Sequence, residues 1–328
     1  MTLSVLWRRA LVLCLLLAIT AWVWVPAALS APIIRLSILT GGTGGVYFPL
    51  GGGLAQIISK NIPGVEATAE VTSASVDNMR LIGAKRADLA FTLADTASDA
   101  FKGEAAFKGN PIPIRTLTPL YNNFHQLVTI EGTGITSIAD LKGKRVSVGS
   151  PGSGTEVTTL RILQAAGIDP DRDIRKDRLG VAESVDAIKD RKIDAFFWSS
   201  GLPASAVLDL ATTPGIRIRL VPLDSTLPNL QKTYGNLYFH AVILKENYPG
   251  APANAPTVGV ANLLVVHKDF DAELAYQITK LIYDRRPLLA LAHKEAANIT
   301  LTGVAGRSPV PFHPGAIRYF KERGVEGF

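Results

Sequence analysis

The fold of this chain is decided by the stretch Gly41-Gly42-Thr43-Gly44-Gly45-Val46-Tyr47. The apolar run before it, residues 33–39, is typical of a buried strand. Apolar residues follow it at the spacing of one helix face, at Leu50, Leu54, Ile57 and Ile58. Pro49 fits a helix only in its first turn. The glycines therefore predict a tight strand-to-helix turn whose N–H groups face an anion. A turn that only reverses the chain is the alternative.

A second stretch has the same design, Gly149-Ser150-Pro151-Gly152-Ser153-Gly154-Thr155-Glu156. A short apolar run precedes it, and a helical pattern over residues 157–163 follows it and ends at Gly167. Two loops of one design, in separate parts of the chain, predict two similar lobes that face one ligand.

Strands and helices alternate around the first loop. Residues 66–72 and 89–93 have strand patterns, and Ser73-Ala74-Ser75 opens a helix between them with either serine as its N-cap. This β-α-β-α-β order predicts a parallel sheet covered by helices, with ligands at the carboxyl ends of the strands, where Asp95 also lies. Residues 86–91 resemble residues 192–197, which indicates a duplication of the unit or a coincidence of two common patterns.

Residues 1–31 have the pattern of a secretory signal peptide. Arg8 and Arg9 precede an apolar stretch over residues 10–26, and small residues follow it. An uncleaved membrane anchor is the alternative. The single cysteine, Cys14, lies within this segment, so the exported protein would have neither disulfides nor thiol chemistry. These features predict a periplasmic protein.

The composition excludes several classes of function. The net charge of +6 comes from basic and acidic residues that alternate, so we expect no nucleic-acid partner. The five histidines lie far apart in the chain, and no metal-binding spacing connects them. Tyr47 stands where a dinucleotide fingerprint needs its third glycine, and neither loop carries a P-loop lysine. We therefore expect no metal, no cofactor and no enzymatic activity.

Four larger side chains are candidates for the cleft. Tyr47, Tyr121 and Trp198 would serve either as its walls or as ordinary core residues. Glu156 would either stabilise the first turn of its helix or accept a ligand ammonium group.

Together these features resemble the TAXI family, the solute-binding receptors of one branch of tripartite ATP-independent periplasmic (TRAP) transporters. The resemblance rests on residues 40–52, 140–146, 149–156, 193–197 and 309–316. It implies a two-lobed α/β fold of the periplasmic-binding-protein type (type II-like). Each lobe would be a mostly parallel sheet flanked by helices, with the ligand cleft between the lobes. We expect lobe 1 to comprise residues 32–124 and 242–328, and lobe 2 residues 125–241.

The resemblance also implies a function. The receptor would close on glutamate, 2-oxoglutarate or a similar small anionic solute and deliver it to a TRAP membrane permease with fused small and large subunits. A periplasmic sensor that signals to a membrane kinase is the alternative. Trp198 replaces the small or aliphatic residue expected there, so the solute stays open. The complete predicted ligand-binding set is Gly42, Thr43, Gly44, Gly45, Tyr47, Ser73, Ser75, Asp95, Tyr121, Ser153, Gly154, Thr155, Glu156 and Trp198.

Overall fold

One mixed sheet of ten strands runs through the computed structural model, which describes residues 32–328. The predicted signal peptide, with Cys14, lies outside the described residues. The strands are β1 (Ile34–Leu39), β2 (Val65–Glu70), β3 (Leu89–Leu93), β4 (Ile114–Ile130), β5 (Arg145–Ser147), β6 (Arg175–Asp177), β7 (Ala195–Ser200), β8 (Ile218–Val221), β9 (Tyr238–Ile243) and β10 (Ala255–His267).

Helices connect most of these strands. They are α1 (Tyr47–Asn61), α2 (Ser75–Gly83), α3 (Ala94–Lys102), α4 (Gly154–Ala165), α5 (Val181–Lys189), α6 (Ser205–Thr212), α7 (Leu227–Tyr234), α8 (Ala272–Asp284), α9 (Arg286–Ala292) and α10 (Pro314–Glu322). Pro49 lies in the first turn of α1, as the sequence predicts.

The strand order is β2-β1-β3-β10-β4-β7-β5-β6, with β8 beside β4 and β9 beside β10. Pairing is parallel at the two ends of the sheet, among β2, β1 and β3 and among β7, β5 and β6. It is antiparallel in the middle, where β10 and β4 lie. The predicted α/β fold, with a mostly parallel sheet flanked by helices, is therefore confirmed, and its antiparallel middle makes the sheet mixed.

The two long central strands join the two ends of the sheet. The first part of β4 pairs with β10 as far as Phe124, and its last part pairs with β7 and β8. Similarly, β10 pairs first with β9 and then with β3. The predicted lobe boundary at residues 124 and 125 coincides with the place where β4 changes partners. The division into lobes itself stays a prediction.

Apolar side chains cover both faces of the sheet. Along β3, Leu89 and Phe91 pack with α1, α8 and α10, whereas Ala90 packs with α2, α3 and α4 on the other face. Successive strand residues point to opposite faces, so a strand that is covered on both sides is mostly apolar. This explains why every residue of β3 except Thr92 is apolar.

The start of α2 differs from the expectation that Ser73 or Ser75 caps it. The N-cap is Ala74, at φ 76°, and it makes no side-chain capping bond. The N–H groups of Val76 and Asp77 donate instead to the carbonyl of Gly152, in the second loop. A serine cap is unnecessary because a distant backbone oxygen already accepts these bonds.

A buried ionic cluster links α3 to α4. Arg161 forms an ion pair with Asp99 over 2.5 Å and donates to the Tyr238 hydroxyl over 3.1 Å. That hydroxyl donates in turn to Asp95 over 2.7 Å, and the Arg161 side chain is only 9% exposed. Burial raises the pKa of Asp99 from its ordinary value, although Arg161 opposes the shift. The cluster thus depends on the guanidinium to balance two buried carboxylates.

We expect Arg161→Met to lower the free energy of unfolding by about 3–5 kcal/mol, because it leaves buried carboxylates without their cation. Arg35→Met is the control, since Arg35 is 78% exposed and pairs with Glu66 over 3.7 Å. It should change stability by about 1 kcal/mol or less. Urea unfolding followed by circular dichroism measures both variants. Equal losses would show that the buried cluster does not stabilise the fold.

Candidate functional site

The two glycine-rich loops line one cavity of about 330 Å³. Residues 41–47 form one side of it, and Ser150 with residues 153–155 contributes to the other. The cavity lies beyond the carboxyl end of β1 and β3, where open α/β sheets place their ligands. Its volume is at the lower end of the range for small-molecule sites.

Backbone contacts hold the loops in place across the cavity. The Gly44 carbonyl accepts hydrogen bonds from Ala206 N over 3.3 Å and from Ser205 Oγ over 3.1 Å. The Gly152 carbonyl accepts the two bonds from the start of α2 over 3.1 and 3.2 Å. Each loop is therefore bonded to a segment distant in sequence.

Three helices begin at this cavity. The first residues of α1 and α4 line it, and so do Gly180, the N-cap of α5, and residues 181–183. Helix N-termini carry N–H groups without intrahelical partners and a partial positive charge, so all three favour an anion. The α5 terminus is absent from the predicted set. Gly180 ahead of the helical spacing of Val185 and Ile188 is the signal that could have identified it.

A chain of side-chain hydrogen bonds lies beneath the cavity. The Tyr47 hydroxyl donates to Asn262 Oδ1 over 2.5 Å, Asn262 Nδ2 donates to Asn123 Oδ1 over 2.7 Å, and Asn123 Nδ2 donates to Ser199 Oγ over 3.3 Å. Burial raises the pKa of Tyr47 and of Tyr121 well above the ordinary value. Both phenols are therefore protonated at neutral pH.

Three polar groups of the lining have no hydrogen-bond partner within residues 32–328. They are the hydroxyls of Tyr121 and Ser200 and the indole N–H of Trp198. An unpaired buried polar group costs about 1–3 kcal/mol. All three atoms are buried, although their residues belong to the cavity lining.

The lining carries one charged side chain, Glu183, and neither lysine nor arginine among the described residues. Glu183 lies in the first turn of α5, where its charge also complements the helix dipole. An anionic group in the cavity would thus be held by N–H and O–H donors alone. A cationic group in the cavity could pair with one carboxylate, that of Glu183.

Twelve of the fourteen predicted ligand-binding residues line this cavity: Gly42, Thr43, Gly44, Gly45, Tyr47, Ser73, Ser75, Tyr121, Ser153, Gly154, Thr155 and Trp198. The lining also includes polar residues that the sequence did not single out, among them Asn123, Ser150, Ser199 and Ser200. Asn123 could have been found from its place at the predicted lobe crossing.

The prediction differs from the structure at Asp95 and Glu156, which lie outside the cavity lining. Asp95 is fully buried and accepts hydrogen bonds from Thr158 and Tyr238. Glu156 forms an ion pair with Arg178 over 2.5 Å and accepts from Gly152 N over 3.1 Å. Both carboxylates are therefore occupied by protein groups.

Two further properties concern the described part of the chain. Between residues 32 and 328, no helix combines the length and apolarity needed to cross a membrane. The same residues contain no group of three or more His, Cys, Asp or Glu side chains placed to hold a metal ion.

The fold and this cavity define an α/β protein with a ligand-sized site at the carboxyl edge of its strands. Residues 38–324 match the NMT1-like family, and the chain belongs to that family.

Solved structures of similar shape include two bacterial binding or transport proteins. One is the periplasmic aliphatic sulphonate binding protein SsuA from Escherichia coli, at 16% identity and a TM-score of 0.46, with 88% of this chain and 83% of that chain covered. Another is a putative L-cystine ABC transporter from Listeria monocytogenes, at 16% identity and a TM-score of 0.49, with 80% and 95% covered. Such likenesses do not extend to the ligand.

The contacts of the first loop predict a difference between two neighbouring glycines. A methyl group on Gly44 would lie 2.8 Å from Val181 Cγ1 and 2.9 Å from Ala206 Cβ, whereas one on Gly42 would meet nothing within 4 Å. We expect Gly44→Ala to lower the free energy of unfolding by about 1–3 kcal/mol through overpacking. Gly42→Ala should be neutral or stabilise by about 0.4–1 kcal/mol. Guanidinium unfolding compares them, and equal effects would contradict the close approach of the loop to α5 and α6.

Proposed function

We propose that this protein is an extracytoplasmic solute-binding receptor of the TAXI type, which delivers a small carboxylate-bearing solute to a TRAP membrane permease. The supporting observation is the shared cavity, at which three helices begin. The sequence resemblance supports the particular transporter class, and the predicted signal peptide supports a periplasmic location.

Binding would involve closure of two lobes, residues 32–124 with 242–328 and residues 125–241. The bonds from Ser205 and Ala206 to the Gly44 carbonyl are contacts that would form on closure. A solute that touches both loops binds the closed form more tightly than the open one, so it shifts the equilibrium toward closure. The permease would then recognise the closed receptor.

The charges of the lining support an amino acid as the solute. Its carboxylate would lie at the helix N-termini, which stabilise an anion without a cationic side chain. Its ammonium group would pair with Glu183, the charged side chain of the lining. A dicarboxylate without an ammonium group would instead bring its second charge near that carboxylate. Among the expected solutes, this favours glutamate over 2-oxoglutarate.

The ionisable groups of the lining support binding without reaction. Apart from Glu183 they are the phenols of Tyr47 and Tyr121, whose pKa values burial raises. Neither phenol is a base at neutral pH. We therefore propose that the bound solute is released unchanged.

Isothermal titration calorimetry with matched solute pairs tests this function. Glutamate with 2-oxoglutarate, and alanine with lactate, differ mainly in the ammonium group. We expect the purified protein to bind the amino acid of a pair more tightly, and Glu183→Gln to weaken amino-acid binding by about tenfold or more through loss of a charge-assisted bond. The affinity for the 2-oxo or hydroxy acid should stay equal or increase.

Glu246→Gln is the control, because Glu246 is also an exposed carboxylate, in the short 3₁₀ helix Lys245–Asn247, but lies outside the cavity. It should leave both affinities unchanged. If no carboxylate-bearing solute binds, the receptor function is wrong. If solutes bind but Glu183→Gln does not alter the preference within a pair, the function stands and the role of Glu183 is wrong.

A further inference from the structure

A second cavity lies on the opposite face of the sheet from the first. Along β4, Tyr121 and Asn123 line the first cavity, whereas Asn122 lines the second. Neighbouring residues of a strand point to opposite faces, so the strand itself separates the two cavities. The second cavity has a volume of about 310 Å³.

The second cavity differs from the first in its charge. Arg307 is the charged residue of its lining, which within the described residues contains neither aspartate nor glutamate. The other polar side chains of its lining are Asn122, Asn236 and Ser308. The first cavity offers a carboxylate, and this one offers a guanidinium.

The Arg307 guanidinium has donors to spare. Its Nη2 donates to Asn122 Oδ1 over 2.8 Å, and no carboxylate of residues 32–328 lies within ion-pair distance of it. Partial burial lowers the pKa of Arg307 from its ordinary value. A guanidinium has five N–H donors in a planar fork that matches an oxyanion.

The amide groups around it complete a donor set. Asn122 accepts from Arg307 through Oδ1, and its Nδ2 group makes no hydrogen bond to another of residues 32–328. Asn236 precedes β9 and reaches the same cavity from the other side. Ser308 is already bonded to Thr116 and to the Val310 carbonyl, which leaves Arg307 and the two asparagines as the available polar groups.

We propose that this cavity is a second binding site, separate from the solute site, in which Arg307, Asn122 and Asn236 hold a small free oxyanion, either a carboxylate or a phosphate. The site does not depend on the identity of the solute in the first cavity. It is bounded on one side by the segment 306–309 and on the other by residues 236–239, so an occupant contacts both.

Amide-resolved NMR of the ¹⁵N-labelled protein tests the site, with inorganic phosphate and acetate titrated separately. We expect saturable chemical-shift changes at the backbone amides of Asn236 and Gly306 and at the side-chain amide of Asn122. Arg307→Gln should weaken the binding of the preferred anion by about tenfold or more. The anion that saturates at the lower concentration identifies the class.

Asn122→Asp provides an independent test, because a carboxylate beside Arg307 would occupy the guanidinium without removing it. It should also abolish the shifts, even if Arg307→Gln fails to fold. Arg115→Gln is the control: Arg115 is half-buried and bonded to the Ile114 carbonyl, but it lies outside this cavity. It should leave the anion affinity unchanged.

The proposal is overturned if neither anion shifts Asn236 and Gly306 in a saturable way, or if the shifts persist in Arg307→Gln or Asn122→Asp. Chemical-shift changes at residues 42–45 would instead report anion binding in the first cavity. The same titration therefore tests the two sites separately.

Discussion

The site depends on the backbone of the two glycine-rich loops, which packs closely against other segments of the protein around the first cavity. The Gly44 carbonyl accepts from α6, and the Gly152 carbonyl accepts from the start of α2. A methyl group on Gly154 would lie 2.6 Å from Ser75 Oγ, and one on Gly45 would lie 2.9 Å from Trp198 Cζ2. Glycine is needed where chains meet this closely. The same absence of side chains leaves backbone N–H groups to line the cavity.

Local patterns were sufficient to predict β1, the first loop and α1, because the apolar run, the glycines and Pro49 are all consecutive in sequence. They were insufficient where a distant group decides the outcome. The start of α2 needs no serine cap because Gly152 accepts its bonds. Asp95 lies just after β3 and Glu156 just after the second loop, as predicted, but Tyr238 and Arg178 bind their carboxylates. Such partners are set by tertiary packing, which residue spacing does not encode.

The two cavities differ in the groups that supply their charge. Helix N-termini supply the positive potential in the first cavity, so the side chain that lines it can be an acid, Glu183. The second cavity also includes the first residue of a helix, Ala94 of α3, but the charged side chain that lines it is a cation, Arg307. The two cavities, on opposite faces of the sheet, thus differ in the sign of their side-chain charge.

The continuity of β4 constrains how the proposed lobes could move. This strand runs from Ile114 to Ile130 without interruption, and β10 runs beside its first part. A hinge cannot cross a fully paired strand without breaking ladder bonds, so bending is least costly where the pairing changes. On β4 the partners change at Phe124, which pairs with Gly259 on one side and Ser200 on the other, and the ladder with β10 is already irregular between Pro119 and Asn122. Tyr121 and Asn123 are within three residues of it, so a ligand that contacts them would bind beside the bend itself.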